Sequence, residues 1–167
     1  MRRILVLYAS AEGQTARIAA RLAEDLRGRG HTVVLGETQD GVDLAAYDAV
    51  VVGASVHYGR HPARLSSFVR SHASALEMRY GAFFSVSLSG NEQYAAAFLR
   101  KAGWRPALVA TFVGALRYSR YGWFKRRLVQ GFARMGGHST DTSRDHDYTN
   151  WQAVSGFAET FAAQLAA

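Results

Sequence analysis

The chain has 167 residues, 49% of them apolar, and it carries a formal net charge of +7. This length and apolar content are sufficient for one well-buried core and short for two, so we expect a single domain over residues 1–167. Because the chain contains no cysteine, disulfides, thiolate metal sites and redox dithiols are excluded, and any redox chemistry must come from a bound cofactor.

The chain opens with a continuous apolar run at residues 4–8, which predicts a strand buried on both faces. A loop of small, hydroxyl and glycine residues follows from Ala9 to Thr15, and a helical spacing of apolar residues begins at Ala16 and ends near Gly28. The basic start and the apolar run also resemble a signal peptide, but the run is short and leads directly into a helix, so we exclude that alternative. No run of about 18 apolar residues occurs that could form a membrane-spanning helix.

This first loop is suited to binding a phosphate group. The first N–H groups of a helix lack partners within the helix and carry the positive end of its dipole, and the hydroxyls of Ser10 and Thr15 lie at the same point. Gly13 stands alone and no lysine follows it, which excludes the three-glycine dinucleotide loop and the nucleoside triphosphate loop. The pattern Ser-x-x-Gly-x-Thr resembles the loop that holds the terminal phosphate of FMN in the flavodoxin-like family. An ordinary helix N-cap is the alternative.

Four more strands are predicted, at residues 31–35, 48–55, 82–86 and 107–113. Between them, one helix is predicted to begin at Pro62 and another to end at Gly103. The inward faces of these two helices are expected to carry Leu65, Phe68, Val69 and His72 in the first and Tyr94, Phe98 and Leu99 in the second. A capping box at residues 149–152 begins the last helix, whose inward residues are Val154, Phe157, Ala158, Phe161 and Leu165.

The alternation of strands and helices predicts an α/β fold, a flavodoxin-like doubly wound five-stranded parallel sheet with helices on both faces. The expected strand order is 2-1-3-4-5, in which a ligand binds beside the first strand at the carboxyl ends of the strands. Loops 10–15, 54–59 and 87–91 would meet at that edge, and their convergence from distant positions is a stronger indication of a site than any one loop.

An insert of about 117–148 interrupts this pattern before the last helix. Residues 117–135 carry six basic residues and no acidic one. Phe124, Leu128, Phe132 and Met135 recur at helical spacing, with Lys125, Arg126 and Arg134 toward the opposite side. We therefore predict a basic amphipathic helix over residues 123–135.

Three interpretations of this helix are open. It could pack its apolar stripe on the domain, or it could lie on an anionic membrane surface, since apolar residues opposite a basic face are typical of interfacial helices. Nucleic acid is the third partner that a basic excess allows, but no nucleic-acid-binding module is recognisable, so we expect none to bind. With the membrane interpretation, we expect a cytoplasmic protein that is peripheral on the inner face of the cell membrane.

A flavin ring needs an apolar slot, close backbone groups and usually an aromatic face. Tyr58 lies in the middle of the third-strand loop, where it could stack on the ring, and Gly53, Gly59 and Gly90 would let the backbone approach. His57 is the candidate catalytic residue because it could supply charge or a proton, and an ordinary solvent-exposed loop histidine is the alternative. No metal site is expected, since the two loop histidines have no carboxylate or thiolate partner at ligand spacing.

Six segments together resemble the bacterial flavodoxin-like protoporphyrinogen oxidases, and the resemblance covers nearly the whole chain. The segments are Gly13-Gln14-Thr15, residues 53–59, Trp104-Arg105-Pro106, residues 114–118, Gly136-Gly137 with Thr140-Asp141-Thr142, and Tyr148-Thr149-x-Trp151. The segment Gly-Ala-Leu-Arg-Tyr at residues 114–118 is far more specific than the phosphate loop.

This resemblance implies an FMN enzyme of haem biosynthesis that oxidises protoporphyrinogen IX to protoporphyrin IX and passes electrons to a membrane quinone. The residues expected to bind FMN are Ser10, Glu12, Gly13, Gln14, Thr15, Ala16, Ala54, Ser55, Val56, His57, Tyr58, Gly59, Ser87, Leu88, Ser89, Gly90 and Asn91. Two alternatives are an electron-carrier flavodoxin, which is typically acidic, and an NAD(P)H:quinone reductase.

Overall fold

A computed structural model describes residues 1–38, 42–116, 129–130 and 133–166. At its centre is a five-stranded parallel sheet of order β2-β1-β3-β4-β5. The strands are β1 (Arg3–Ala9), β2 (Thr32–Glu37), β3 (Ala49–Ser55), β4 (Tyr80–Ser87) and β5 (Leu108–Val113). The predicted order is confirmed, and all five strands lie within about two residues of their predicted bounds, as is usual for boundaries read from a sequence.

Helices cover both faces of the sheet, as predicted. The helices are α1 (Gln14–Gly28), α2 (Ala63–Ser71), α3 (Ala73–Glu77), α4 (Glu92–Ala102) and α5 (Trp151–Ala166). Apolar residues of α1 and α5 form one core with one face of the sheet, and those of α2, α3 and α4 form a second core with the other face. The short helix α3 and a 3-10 turn at Leu44–Ala46 were not predicted.

The apolar run of the first strand follows from its position between these two cores. In β1, Ile4 and Val6 belong to the core under α1 and α5, while Leu5 and Leu7 belong to the core under α2 to α4. All four side chains are buried. A strand with both faces covered requires apolar residues at every position rather than at alternate positions.

The helix ends agree only in part with the predictions. Gly103 ends α4 in the left-handed conformation, with φ 72°, as expected for a glycine after a helix. The predicted capping box before α5 is wrong: the side-chain oxygen of Asn150, and not that of Thr149, accepts the N–H of Ala153 at 3.0 Å. The hydroxyl of Thr149 instead donates to the carbonyl of Val113 at 3.0 Å and accepts the side-chain amide of Gln14 at 2.8 Å.

The insert begins and ends in a two-stranded antiparallel sheet that the sequence did not predict, β6 (Ala115–Leu116) with β7 (His146–Asp147). The predicted helix at 123–135 lies largely outside the described residues, of which 129–130 and 133–135 are helical. Ala133 is fully buried in a small cluster with Leu116, whereas Met135 is 86% exposed. Met135 was expected on the apolar stripe of the helix, so this described member of the stripe faces solvent.

Candidate functional site

The loop between β1 and α1 has the geometry of an anion site. Gly13 adopts a left-handed φ of 91° immediately before α1, which glycine permits without strain. Its N–H donates to the Ser10 hydroxyl at 3.0 Å, which leaves the hydroxyl hydrogen of Ser10 for a second acceptor. Thr15, only 1% exposed, and the partly buried Ala16 lie in the first turn of α1.

This loop fits a phosphate monoester, the end group of FMN. Across the described part of the chain, no side chain caps the N-terminus of α1, and its first turn contains no acidic residue. The first-turn N–H groups and the positive end of the helix dipole therefore point toward the loop, and no acidic side chain of the first turn itself neutralises them. The predicted contribution of the Ser10 and Thr15 hydroxyls to this site stays a prediction.

The side chain of Gln14 is tied to the segment that follows the insert. Its amide nitrogen donates to the Asp147 carboxylate at 3.0 Å and to the Thr149 hydroxyl at 2.8 Å. Arg17, one turn further along α1, donates to the other oxygen of Asp147 at 3.0 Å. Any contribution of Gln14 to a bound phosphate would therefore come from its backbone N–H.

Asp147 and Thr149 are site-neighbouring residues that the sequence reasoning missed, although Thr149 belongs to one of the motifs that carry the resemblance. Burial raises the pKa of Asp147, but the N–H of Thr149, the Gln14 amide and the charge of Arg17 together hold this pKa below its ordinary value. The carboxylate is thus charged at neutral pH, and it fixes the end of the insert against the phosphate loop.

The loop after β3 is held against both neighbouring strands. The hydroxyl of Ser55 reaches the carbonyl of Ala9 at 3.4 Å, and the N–H of Val56 donates to the carbonyl of Val86 at 2.7 Å. Ala54 before them is fully buried. These bonds place the loop beside the phosphate loop, as the strand order requires.

Tyr58 stands at the tip of this loop in a tight turn. His57 and Arg60 exchange both backbone hydrogen bonds, at 2.8 and 3.0 Å, and the two residues between them, Tyr58 and Gly59, have φ of 49° and 75°. Positive φ at both central positions is the arrangement of a type I′ turn, which favours asparagine or glycine and strains a tyrosine by roughly 1 kcal/mol or more. Tyr58 as a whole residue is 76% exposed, so the strained backbone presents this aromatic residue to solvent at the place predicted for the flavin.

Replacement of Tyr58 by asparagine should therefore separate stability from flavin binding. Asparagine tolerates a left-handed φ, so the melting temperature should stay the same or rise. Loss of the aromatic contact should weaken FMN binding by roughly 1 kcal/mol in a flavin-fluorescence titration. Tyr58→Phe is the control, since it keeps the ring and should retain the affinity of the parent; an asparagine variant with that same affinity would remove Tyr58 from the site.

His57 and Glu12 face each other across two of the loops. The Nε2 atom of His57 lies 3.7 Å from a carboxylate oxygen of Glu12, and both side chains are partly exposed. The carboxylate of Glu12 is thus directed at the histidine. A partly exposed histidine beside a carboxylate can accept and pass on a proton, so His57 stays the candidate catalytic residue.

The loop after β4 closes the third side of the site. The hydroxyl of Ser87 accepts the N–H of Gly90 at 2.9 Å, and Gly90 has a left-handed φ of 63°. Ser89 is exposed, and its hydroxyl accepts the N–H of Asn91 at 3.3 Å, while the Asn91 side chain caps α4. Leu88 packs on the Leu116 cluster of the insert, so its side chain connects this loop to the insert.

His61, at the end of the third-strand loop, is a partly buried histidine that is neutral at pH 7. Its Nε2 atom lies 3.0 Å from the hydroxyl of Ser85, and its ring packs on Phe83 and Phe98 with centroids 5.6 and 4.9 Å away. Burial lowers its pKa to about 4. These contacts with two core aromatic rings give His61 a packing role.

The low pKa of His61 predicts a dependence of stability on pH. Unfolding exposes the ring and restores a pKa near 6.5, so the unfolded chain binds the additional proton between pH 6.5 and 4 and stability falls as the pH falls through that window. Between pH 7 and pH 5 the loss should be roughly 1 to 2 kcal/mol after allowance for partial solvation. Urea titrations of the parent and of His61→Gln measure it, and equal pH profiles in the two proteins would contradict the assignment.

The comparisons with known proteins agree with this geometry. The flavodoxin domain model matches residues 5–143. The chain is 35% identical over 169 aligned residues to protoporphyrinogen IX dehydrogenase [quinone] of Escherichia coli (strain K12), covering 95% of this chain and 93% of that protein. It is 37% identical to the protein of the same name from Leishmania major, covering 95% of this chain and 74% of the relative.

Among solved structures, oxidised flavodoxin 2 from Bacillus cereus superimposes with a TM-score of 0.60 at 20% identity, covering 97% of this chain and 99% of that one. This likeness shows the fold, since the identity is low. The matched domain and the near-complete coverage of the curated relatives show that the chain belongs to the flavodoxin domain family and, within it, to the family of the quinone-dependent protoporphyrinogen IX dehydrogenases.

Proposed function

We propose that this protein oxidises protoporphyrinogen IX to protoporphyrin IX with bound FMN and a membrane quinone as electron acceptor, a reaction of haem biosynthesis. The observation that carries the proposal is the start of α1, which no side chain caps among the described residues. It follows the left-handed Gly13, and the loops after β3 and β4 are the two further loops of the candidate site. The names of the relatives, which match along 95% of the chain, supply the substrate and the acceptor.

The residues that would hold FMN form two groups, one that would bind the phosphate and one that would contact the ring. The N–H groups of Gln14, Thr15 and Ala16 and the Ser10 hydroxyl would bind the phosphate, because they provide donors and a positive dipole end, with no acidic residue in the first turn of α1. Tyr58 would cover the ring from its exposed turn. Bound FMN would supply two-electron redox chemistry that no side chain of a cysteine-free protein offers.

The protein then contributes orientation and proton handling. Conversion of a porphyrinogen to a porphyrin removes six electrons and six protons, which three quinones accept as three quinols. His57 is partly exposed and faces the Glu12 carboxylate at 3.7 Å, so it is placed to take a proton from the substrate and release it to solvent.

A turnover assay tests this proposal against the two alternatives. The FMN-loaded protein is supplied with protoporphyrinogen IX and a quinone, and separately with NAD(P)H and the same quinone. We expect protoporphyrin fluorescence to develop in the first reaction and little quinone reduction in the second. Rapid NAD(P)H oxidation without porphyrinogen turnover would identify a general quinone reductase, and inactivity in both would favour an electron carrier.

The basic insert would bring the enzyme to the lipid phase where quinones dissolve. None of the described helices combines the length and the hydropathy that crossing a bilayer requires. The proposed contact is therefore peripheral, through a helix over residues 123–135 with Lys125, Arg126 and Arg127 drawn to anionic lipid. Of the described residues in this segment, Met135 is 86% exposed, whereas Val129 packs against the cluster of Leu116 and Ala133.

Vesicle sedimentation separates the two contributions to this contact. Changing Lys125, Arg126 and Arg127 to glutamine should reduce binding to anionic vesicles mainly at low ionic strength, since salt already screens the attraction. Changing Phe124 and Phe132 to serine should reduce it at any ionic strength. Lower melting temperatures of the serine variant with unchanged sedimentation would show instead that the stripe packs on the domain, and a parent protein that does not sediment would remove the membrane contact.

A further inference from the structure

A groove of about 500 Å³ lies between α2 and α4, on the side of the domain next to the Tyr58 turn. This volume is within the range of pockets that bind small molecules. One wall consists of residues spaced three and four apart along α2, namely Ala63, Ser66 and Arg70. The opposite wall is one face of α4.

The charged residues of the groove are all cationic. Arg60 lies at the end near the loop, and Arg70 and Lys101 lie in the last turns of α2 and α4, at the far end. Within the described ranges, none of these three side chains has an ion-pair partner. Cations at a helix C-terminus are favoured by the helix dipole, but that preference does not explain why no acidic residue lines the groove.

The floor between these cations is apolar. Ala97, Phe98 and Ala102 of α4 line it, and Phe98 stacks on Phe83 beneath at a centroid distance of 5.1 Å. His61, which also lines the groove, is held neutral by burial and adds no charge to the floor. A ligand that fits must therefore combine a substantial apolar body with anionic groups.

The groove opens directly onto the loop that we place against the flavin. Gly59, next to Tyr58, lines the groove, and Tyr94 of α4 lies so close to it that a side-chain carbon at Gly59 would be 3.8 Å from the tyrosine ring. From Ala63 to Arg70 the helix rises about 10 Å. The distance from the loop to the cations at the far end is therefore similar to the width of a tetrapyrrole ring.

We propose that this groove binds the substrate, with the two propionates of the tetrapyrrole at Arg70 and Lys101 and its macrocycle over Ala97 and Phe98 toward Gly59. This assignment rests on the proposed function, which supplies an apolar tetrapyrrole with two carboxylates as the substrate. Two carboxylates on one edge of an apolar ring match two unpaired cations at one end of an apolar floor. A quinone carries no anionic group, and a nicotinamide dinucleotide would set its polar sugars on the apolar floor.

The test measures binding of protoporphyrin IX, the stable product, to the FMN-loaded protein by porphyrin fluorescence. The double variant Arg70→Gln with Lys101→Gln should weaken binding about tenfold or more, at about three- to tenfold for each partly solvated charge contact. The matched control is Arg100→Gln with Arg105→Gln, which removes the same charge from two exposed residues outside the groove and should change binding less than about twofold.

Two further measurements make the assignment specific. The dimethyl ester of protoporphyrin lacks the carboxylates, so the parent should prefer the free acid and the double variant should lose that preference. Ala97→Trp, an exposed site on α4, fills the floor without changing charge and should weaken porphyrin binding while FMN content and melting temperature stay those of the parent.

These measurements distinguish a wrong assignment of the groove from a wrong assignment of the function. If the parent binds porphyrin and turns over protoporphyrinogen, but the groove variants bind it as tightly as the control does, the groove assignment is wrong and the function stands. If the parent neither binds porphyrin nor turns over protoporphyrinogen, both are overturned. A raised KM for protoporphyrinogen with kcat kept within about twofold in the double variant would support the groove as the substrate site.

Discussion

Replacing Gly53 with alanine should destabilise the protein by about 3 kcal/mol or more, enough to lower the melting temperature markedly. Gly53 lies in β3 opposite Phe84 of β4, and the ring of Phe84, which is fully buried, covers the glycine. A side-chain carbon added at Gly53 would overlap that ring. Because Phe84 is enclosed by the core under α1 and α5, neither strand nor ring can move without opening a cavity.

The matched control is Gly36→Ala in β2, where an added carbon would meet no atom within 4 Å. That variant should be neutral or slightly stabilised, since alanine has less conformational freedom in the unfolded chain. Phe84→Leu should lower the free energy of unfolding less in the Gly53→Ala variant than in the parent, because leucine lacks the outer ring atoms that clash with the added carbon. Equal melting temperatures for Gly53→Ala and Gly36→Ala would show that the packing of β3 against β4 is not as described.

Replacing Thr15 with valine should weaken FMN binding by roughly 1 to 3 kcal/mol, because a charged acceptor would lose a hydroxyl donor in a partly buried site. Thr15 is 1% exposed in the first turn of α1, and valine has nearly the same shape, so the fold should be kept. A flavin-fluorescence titration gives the affinity, and a thermal melt of the FMN-free protein gives the stability.

Thr15→Ser provides the matched control, since it keeps the hydroxyl and removes only a methyl group. We expect serine to retain most of the affinity that valine loses. A valine variant that binds FMN as tightly as the parent would show that the Thr15 hydroxyl does not contact the phosphate, and the backbone N–H groups alone would then account for the site.

The sheet could be predicted from the sequence because its signals are local. Residues 4–7 are all apolar because both faces of β1 are covered, and a short run of this kind ended by a glycine-containing loop is typical of a central parallel strand. Gly103 marked the end of α4 for an equally local reason, the left-handed φ that follows a helix. Alternation of such strands with helices then leaves few possible strand orders.

The contacts that hold the site together could not be predicted in this way, because their partners are far apart in sequence. Gln14 reads as part of a phosphate loop, yet its side chain bonds to Asp147 and Thr149, more than 130 residues later. The Thr149 hydroxyl also donates to the carbonyl of Val113, while Asn150, the residue before Trp151, caps α5. Side-chain bonds between distant segments have no periodicity that a sequence pattern could indicate.

The groove between α2 and α4 could likewise not be predicted from the sequence of either helix alone. Arg70 and Lys101 each read as an ordinary cation in the last turn of a helix. Both cations lie at the same end of the groove because the order β3-β4-β5 places α2 and α4 side by side on one face of the sheet. Tyr58 was predicted as the stacking residue, but the sequence did not predict the positive φ of its turn.

The most direct test of the central claim is the anaerobic reduction of the protein-bound flavin by protoporphyrinogen IX, followed by flavin absorbance and porphyrin fluorescence in one cuvette. We predict that the flavin absorbance bleaches as protoporphyrin forms, with three flavins reduced for each porphyrin, and that added quinone restores the absorbance. A bound flavin that stays oxidised in the presence of protoporphyrinogen IX but bleaches with NAD(P)H would contradict the account.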